Sequence, residues 1–243
     1  MKAVILSAGQ GKRLLPLTAK QPKCNISIHG RSILEWQINE LLRSGIGPVH
    51  VVVGFGADKV EKSLANNHGG CDDIHTLYNP FYALADNLIS CWTARNEMAE
   101  DFLLLNGDTV FETAVLERLL QAPSAPITLV TDEKPQYDAD DMKVILRDTQ
   151  LVRIGKTLPL EKVNGESIGM IRFQGAGPQL FCSALERRVR QPESLKQWYL
   201  SLIDQLAQEG HVSTISIKGL TWAEIDNPED LQQAETLLKP YAP

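Results

Sequence analysis

The chain has 243 residues, 43% of them hydrophobic and 22% charged, which is enough apolar side chain for one sizeable core and an ordinary length for a single α/β domain. Its net charge of −6 excludes a surface that draws in nucleic acid or anionic membrane, because phosphate-rich partners need a basic field. Cys24, Cys71, Cys91 and Cys182 form no CxxC pair, so a structural zinc site and a dithiol redox motif are excluded as well.

Residues 1–8 are apolar but too short for a signal segment or a membrane span. They read as the first strand, Ala3–Ser7, of a cytoplasmic protein. A small-residue loop follows, Leu6-Ser7-Ala8-Gly9-Gln10-Gly11-Lys12-Arg13-Leu14-Leu15-Pro16-Leu17-Thr18, and then Pro22-Lys23. Such loops let backbone N–H groups approach an anion, which makes Leu6, Ala8, Gly9, Gln10, Gly11 and Lys12 candidate nucleotide contacts. Two familiar phosphate motifs fail here. A dinucleotide fingerprint needs glycine where Leu14 stands and an acidic residue where Gly54 stands. A Walker A loop needs Ser or Thr after Gly-Lys, whereas Gly11-Lys12 is followed by Arg13. The remaining cations suit nucleotidyl transfer, in which an acceptor phosphate attacks an α-phosphorus, pyrophosphate leaves, and negative charge builds on bridging and leaving oxygens. The Arg13 fork matches the departing phosphates, and the Lys23 ammonium matches a point contact to the α- or acceptor phosphate. Arg13 and Lys23 are the candidate catalytic pair.

Ile33–Ser44 has Leu34, Ile38, Leu41 and Leu42 at helical spacing and stops at Gly45. Val49–Gly54 is a second buried strand. The alternation continues with a helix over Asp58–Ala65, a strand at Ile74–Tyr78, a helix over Asn87–Met98 and a strand at Phe102–Asn106, and Leu116–Leu120 lies in a further helix. An open, mostly parallel α/β sheet is the expected fold, with ligands at the carboxyl ends of its strands. Asn106 and Gly107 are then candidate nucleotide contacts, and Asp108, which ends that apolar strand, is placed to bind Mg²⁺.

From Ile127 the pattern changes to short strands at Ile127–Thr131, Met142–Arg147, Leu151–Ile154 and Ile168–Phe173. They read as an antiparallel, substrate-facing extension of the sheet. A helix over Trp198–Gln208, a strand at Val212–Ile217 and a closing helix, Pro228–Leu238, capped by Asn227 complete the chain. In Trp222-Ala223-Glu224-Ile225-Asp226, an extended backbone puts Glu224 and Asp226 on one side, so both can face the cation that Asp108 faces. The predicted organisation is one domain over 1–243: a nucleotide-binding core at 1–126, substrate-facing strands at about 127–175, and closing helices with the metal-binding segment at 176–243.

Met1–Lys23 resembles the signature of nucleoside-triphosphate transferases that act on phosphorylated sugars and alcohols, L-x-A-G-x-G-x-R-x-x-P-L-T followed by P-K. The matching residues are Leu6, Ala8, Gly9, Gly11, Arg13, Pro16, Leu17, Thr18, Pro22 and Lys23, with Ser7 where alanine is more usual. Glu224-Ile225-Asp226-Asn227-Pro228-Glu229-Asp230-Leu231 is similar to that family's E-I-D-x-P-E-D-L segment, so the resemblance spans nearly the whole chain. It implies a Rossmann-like sheet of the nucleotidyltransferase type, a Mg²⁺ cofactor, and a nucleoside triphosphate and small phosphorylated substrate as partners, with homodimerisation left open.

Tyr78-Asn79-Pro80-Phe81-Tyr82 and Asn87-Leu88-Ile89-Ser90-Cys91-Trp92 resemble the phosphocholine cytidylyltransferase branch, with Asp86 where that branch often has asparagine. CTP is the nucleotide this implies, with Asn87 and Ser90 hydrogen-bonding the pyrimidine. Asp140-Asp141-Met142-Lys143-Val144, Ile154-Gly155-Lys156 and Gly165-Glu166-Ser167-Ile168-Gly169 also resemble the branch. Lys143 and Lys156 are candidates to neutralise the acceptor phosphate, and Glu166 to receive an ammonium or hydroxyl group. Tyr82, Trp92, Trp198 and Tyr199 are candidate walls for a cationic head group. The acceptors implied are phosphocholine-like compounds, aminoethylphosphonate or inositol phosphate. The same loop and carboxylates would equally serve a sugar-1-phosphate nucleotidyltransferase using UTP, dTTP or GTP.

Overall fold

The computed structural model describes residues 1–241, so the last two residues of the predicted closing segment lie outside the described residues. Strand β1 (Lys2–Ser7) runs into the glycine loop, which winds through three short 3-10 turns before a small ribbon, β2 (Ser27–Ile28) and β3 (Arg31–Ser32). Helix α1 (Ile33–Arg43) starts at a capping box: Ser32 Oγ accepts from Glu35 N, and the Glu35 carboxylate accepts from Ser32 N. These bonds satisfy two groups that a helix start would otherwise leave unpaired.

The chain continues through β4 (Val49–Val53), α2 (Ala57–His68), β5 (Ile74–Tyr78) and α3 (Asn87–Ala94). The helix expected to reach Met98 stops at Ala94 and tightens into a 3-10 turn over Arg95–Met98. Next come β6 (Phe102–Asn106), β7 (Thr109–Phe111), α4 (Thr113–Gln121), β8 (Ile127–Asp132), β9 (Lys143–Arg147), β10 (Gln150–Gly155) and β11 (Gly165–Phe173). The chain then forms α5 (Gly177–Val189), α6 (Leu200–Gln208), β12 (Val212–Ser216), β13 (Trp222–Glu224) and α7 (Pro228–Leu238). Asn227 caps α7, as the sequence suggests.

Nine strands form one sheet in the order β5-β4-β1-β6-β11-β8-β12-β10-β9. The pairs β5–β4, β4–β1 and β1–β6 are parallel, and β11 is antiparallel to both β6 and β8. The extension predicted from Ile127 joins this sheet with one difference. Strand β8 pairs in parallel with β12, so only β11, β10 and β9 supply its antiparallel pairings.

Side chains alternate across the strands and fill two cores. Val4 and Leu104 pack on one face with residues of α3, α5 and α6. Ala3, Ile5, Leu103 and Leu105 pack on the other with residues of α1, α2 and α4. This period of two is what a sheet covered on both faces requires. A third, smaller cluster of Leu14, Ile26, Ile28, Ile33, Trp36, Val110, Ile225, Ala234 and Leu238 ties the glycine loop to the β7/β13 ribbon and α7. This cluster brings the two ends of the chain together.

Candidate active site

Strand β6 ends at the centre of the sheet, beside β1. Gly107 N donates to Leu6 O at 3.0 Å, and a Cβ on Gly107 would lie 2.3 Å from Ser7 Oγ and 2.5 Å from Leu6 O. Only glycine fits so close to a neighbouring backbone, and this contact fixes where Asp108 leaves the sheet. The β7/β13 ribbon then pairs Thr109 with Glu224, and Ile225 N donates to Asp108 O at 3.0 Å. Ile225 is fully buried in the third cluster, a contribution of about 2 kcal/mol by area. With Ile225 pointing inward, Glu224 and Asp226 on either side of it turn toward Asp108. Asp226 itself lies in a bend beyond β13, held by its backbone N–H on the Asp230 carboxylate at 2.8 Å.

Asp108, Glu224 and Asp226 present carboxylate oxygens within 4.8 Å of one another. Asp108 Oδ1 is buried with no hydrogen-bond partner. Three convergent carboxylates with an orphaned oxygen form a hard-donor set of the kind Mg²⁺ takes.

The predicted cations reach this cluster. Gly11 adopts a left-handed conformation (φ 73°), and the Lys23 side chain fills the space where a Cβ on Gly11 would sit, 2.8 Å away. Lys23 Nζ then lies 2.9 Å from Asp108 Oδ2 and 2.6 Å from Asp226 Oδ1. Arg13 spans two carboxylates, with Nη2 2.6 Å from Asp226 Oδ2 and Nη1 3.0 Å from Asp140 Oδ2. Lys156 Nζ lies 3.6 Å from Asp140 Oδ1 and 5.0 Å from the Trp198 ring centroid.

Burial acts on Lys23, Asp226 and Glu224, and the charged neighbours of each oppose or reinforce it. Burial alone lowers the Lys23 pKa, but Asp108 and Asp226 together outweigh it, so the ammonium titrates above its ordinary value. Burial raises the Asp226 carboxyl, and Lys23, Arg13 and Lys156 reverse this to a net depression. Glu224 opens to solvent along the cleft, yet desolvation by the surrounding protein, with Asp108 and Asp226 as anionic neighbours, pushes its carboxyl up to about 8. A bound cation would relieve that repulsion.

Two cavities meet at the cluster. One, of about 300 Å³, is lined by Leu6, Ala8, Gly9, Tyr82, Asn87, Ser90, Asn106, Gly107 and Asp108. The other, of about 190 Å³, is lined by Arg13, Asn87, Asn106, Asp108, Lys156, Trp198, Glu224 and Asp226, among others. Asn87, Asn106 and Asp108 form their shared wall. A third hollow beside them brings Gly9 and Gly11 to Lys23 and Asp108.

Several predicted residues lie elsewhere. Gln10 donates to Thr18 O at 3.4 Å and Lys12 is exposed; neither lines these cavities. Ser90 lines the larger cavity but is buried, its hydroxyl accepting from Asn79 Nδ2 at 3.2 Å. Lys143 is buried and donates to the carbonyls of Lys156 at 2.9 Å and Asp141 at 3.3 Å. It braces the segments that carry Lys156 and Asp140 and does not face an acceptor phosphate, because a lysine so enclosed needs local acceptors. Glu166 pairs with Lys134 at 3.1 Å in a neighbouring acidic cleft. There burial raises its carboxyl to about 7, with Lys134 opposing the rise. Trp92 lies under the Arg95 guanidinium, 4.0 Å away, and touches neither cavity. Tyr199 is fully buried, so only Tyr82 and Trp198 of the four aromatic candidates reach a cavity.

Two contributors, Asp140 and Gln37, escaped the sequence reading, and Tyr199 contributes in another way than the cation wall expected of it. Asp140 holds Arg13 and Lys156, and it lies in a stretch already singled out by resemblance. Tyr199 donates its hydroxyl to Asn106 Oδ1 at 3.0 Å and its backbone N–H to Asn87 Oδ1 at 3.0 Å, orienting both amides of the shared wall. Gln37 braces the turn that carries Asp108; its signal is a lone amide on the apolar face of α1.

Residues 3–212 match the model of the MobA-like NTP transferase domain. The chain is 30% identical over 99% of its length to the CMP-5'-(3-aminopropyl)phosphonate synthase of Streptomyces rubellomurinus, although it spans only 39% of that longer protein. It is 24% identical to the choline-phosphate cytidylyltransferase of Streptococcus pneumoniae, over 98% of this chain and 99% of that one. The inositol-1-phosphate CTP transferase of T. maritima superposes with a TM-score of 0.82 at 20% identity, covering 98% of this chain and 94% of the other, and so shares the fold. The chain belongs to the family of MobA-like NTP transferase domains, the nucleotidyltransferases.

Proposed function

We propose that this protein is a Mg²⁺-dependent cytidylyltransferase that couples CTP to a small phosphorylated alcohol or amine, giving a CDP-linked product and pyrophosphate. The observation that carries the reading is the meeting of the two cavities at one cluster, where Arg13, Lys23, Asp108, Glu224 and Asp226 converge. The larger cavity, floored by the glycine loop, takes the nucleotide, with Asn87 at its edge. The smaller one, with Lys156 and Trp198, takes the acceptor. The two curated relatives compared above carry names for cytidylyl transfer to a phosphonate and to phosphocholine, which favours CTP over other nucleotides.

An oxygen of the acceptor phosphate attacks the α-phosphorus of CTP. The bond from that phosphorus to the bridging oxygen breaks, and pyrophosphate departs with the bond's electrons. Lys23, at the junction, stabilises charge on the α-phosphate, and Arg13 stabilises the leaving group. Lys156 holds the acceptor phosphate, and Tyr199 keeps the Asn87 and Asn106 amides turned toward the substrates. Asp108 and Asp226, with Glu224 beside them, would hold a Mg²⁺, which would supply electrostatic stabilisation of the phosphates. No covalent enzyme intermediate is needed.

Among the described residues no helix is long and apolar enough to cross a membrane; our placing of the enzyme in the cytoplasm rests instead on its nucleoside triphosphate substrate. Pyrophosphate release should be followed with CTP, UTP, dTTP and GTP against phosphocholine, aminoethylphosphonate, inositol phosphate and sugar 1-phosphates. We expect CTP with one of the first three acceptors to give the highest kcat/KM. A preference for UTP, dTTP or GTP with a sugar 1-phosphate would overturn this reading in favour of a sugar nucleotidyltransferase.

A further inference from the structure

Asp108 sits in a two-residue turn, Gly107-Asp108, between β6 and β7, and a turn of that length has little stiffness of its own. Two backbone bonds hold it to its neighbours, Gly107 N on Leu6 O and Ile225 N on Asp108 O. Among the described residues, one side chain joins its two ends through their carbonyls. Gln37, on α1, is 1% exposed, and its Nε2 donates to Asn106 O at 2.6 Å and to Thr109 O at 2.8 Å. These two carbonyls bracket Gly107-Asp108, so one amide group spans the turn. Gln37 Oε1 is buried with no partner, an expensive arrangement for an amide inside an apolar face. Leucine or methionine would fill the same volume without that penalty but could not join the two strand ends.

We propose that Gln37 is a positioning residue for Asp108: it touches neither substrate nor cation, and it sets the carboxylate's place in the cation site by clamping both ends of the turn. The proposal rests on the reading of Asp108, Glu224 and Asp226 as ligands for Mg²⁺. Ligating carboxylates depend on such supports, and losing one lowers metal affinity by about 10- to 100-fold. Lys23 also reaches the Asp108 carboxylate, but among the described residues Gln37 is the one side chain that bonds both carbonyls of the turn.

The test uses the full chain and Mn²⁺ as the probe, with free Mn²⁺ read by its paramagnetic resonance signal in the absence of nucleotide. Gln37→Met keeps the volume and removes both donors, and Gln37→Asn, which withdraws the amide by one methylene, serves as a second variant should the first fold poorly. Asp108→Asn is the benchmark. We expect Asp108→Asn to abolish most Mn²⁺ binding and Gln37→Met to weaken it about 10-fold, with the metal concentration for half-maximal turnover rising in step and the acceptor KM unchanged. A Gln37→Met protein that binds Mn²⁺ as tightly as the unmodified chain, while Asp108→Asn does not, would overturn the positioning role and leave Gln37 as packing alone. Unchanged Mn²⁺ binding in Asp108→Asn would instead overturn the ligand assignment itself.

Discussion

The Lys23 ammonium lies 2.6 Å from Asp226 Oδ1 and, on its other side, 2.9 Å from Asp108 Oδ2. A residue from the first strand's loop thus bridges two carboxylates that are themselves far apart in sequence, and it occupies the ground a metal ion would share. Removing this fixed charge should favour a divalent cation at the cluster. We expect Lys23→Met to bind Mn²⁺ about 10-fold more tightly than the unmodified chain when no nucleotide is added, while losing turnover. One unit charge a few ångströms away accounts for an effect of this order even at a high effective dielectric. Weaker Mn²⁺ binding by Lys23→Met would show that the lysine does not compete with the metal.

Arg13 uses separate guanidinium nitrogens on Asp226 and Asp140, a fork that a lysine cannot reproduce. Arg13→Lys should therefore lower kcat by about 100-fold with an unchanged circular dichroism spectrum. A loss under threefold would mean that charge alone suffices there.

Lys156 reaches the smaller cavity beside Trp198. Lys156→Ala should raise the acceptor KM about 10-fold, the loss of roughly 1.4 kcal/mol of binding, and leave the KM for CTP within twofold. Steady-state kinetics with each substrate varied in turn would expose the opposite pattern, which would place this lysine on the nucleotide.

Glu166 titrates at about 7 because burial disfavours its charged form more than Lys134 favours it. Its folded pKa lies above the unfolded value of about 4.3, so between these two pH values the folded protein holds more protons than the unfolded chain. Stability from this group is present below about 4.3 and is lost as pH rises through 7. The melting temperature of Glu166→Gln, measured relative to the unmodified chain, should accordingly rise between pH 5 and pH 8. A difference that stays constant across that range would contradict the assignment.

Asn227 caps α7 and accepts from Asp230 N at 2.9 Å, one residue after Asp226. Replacing it with alanine should cost about 1 kcal/mol, which for a chain of this size is a melting-point drop of about 2–4 °C. Thermal unfolding followed by circular dichroism would measure it, and no shift would mean that the Pro228 start and Asp230 already hold the helix.

The parallel half of the sheet was legible because its strands are short runs dominated by apolar, β-branched residues, as in Val49–Val53, where every residue, His50 included, is buried. The glycine loop and the Glu224–Asp226 segment were legible because their backbone needs are strict: Gly11 takes a left-handed conformation, and Ile225 must point inward. The contacts of long side chains were not. Lys143 and Lys156 look alike in sequence, yet Lys143 bonds to local carbonyls and only Lys156 reaches the cleft. Glu166 likewise found its partner in Lys134, far off in sequence where no spacing rule reaches, whereas the Trp92–Arg95 contact is an i,i+3 helical pair that spacing allows. Strand direction beyond Ile127 was also hidden, because β8 and β12 meet only after three intervening strands and two helices.

Pyrophosphate release from CTP with Mg²⁺ and the best acceptor, compared between the unmodified chain and the folded Asp108→Asn and Lys23→Met variants, is the most direct measurement. We expect robust release by the unmodified chain and a fall of at least about 1,000-fold in each variant. Release at background by the unmodified chain with every nucleotide and acceptor, or near-normal rates in either variant, would contradict the assignment of this pocket to nucleotidyl transfer.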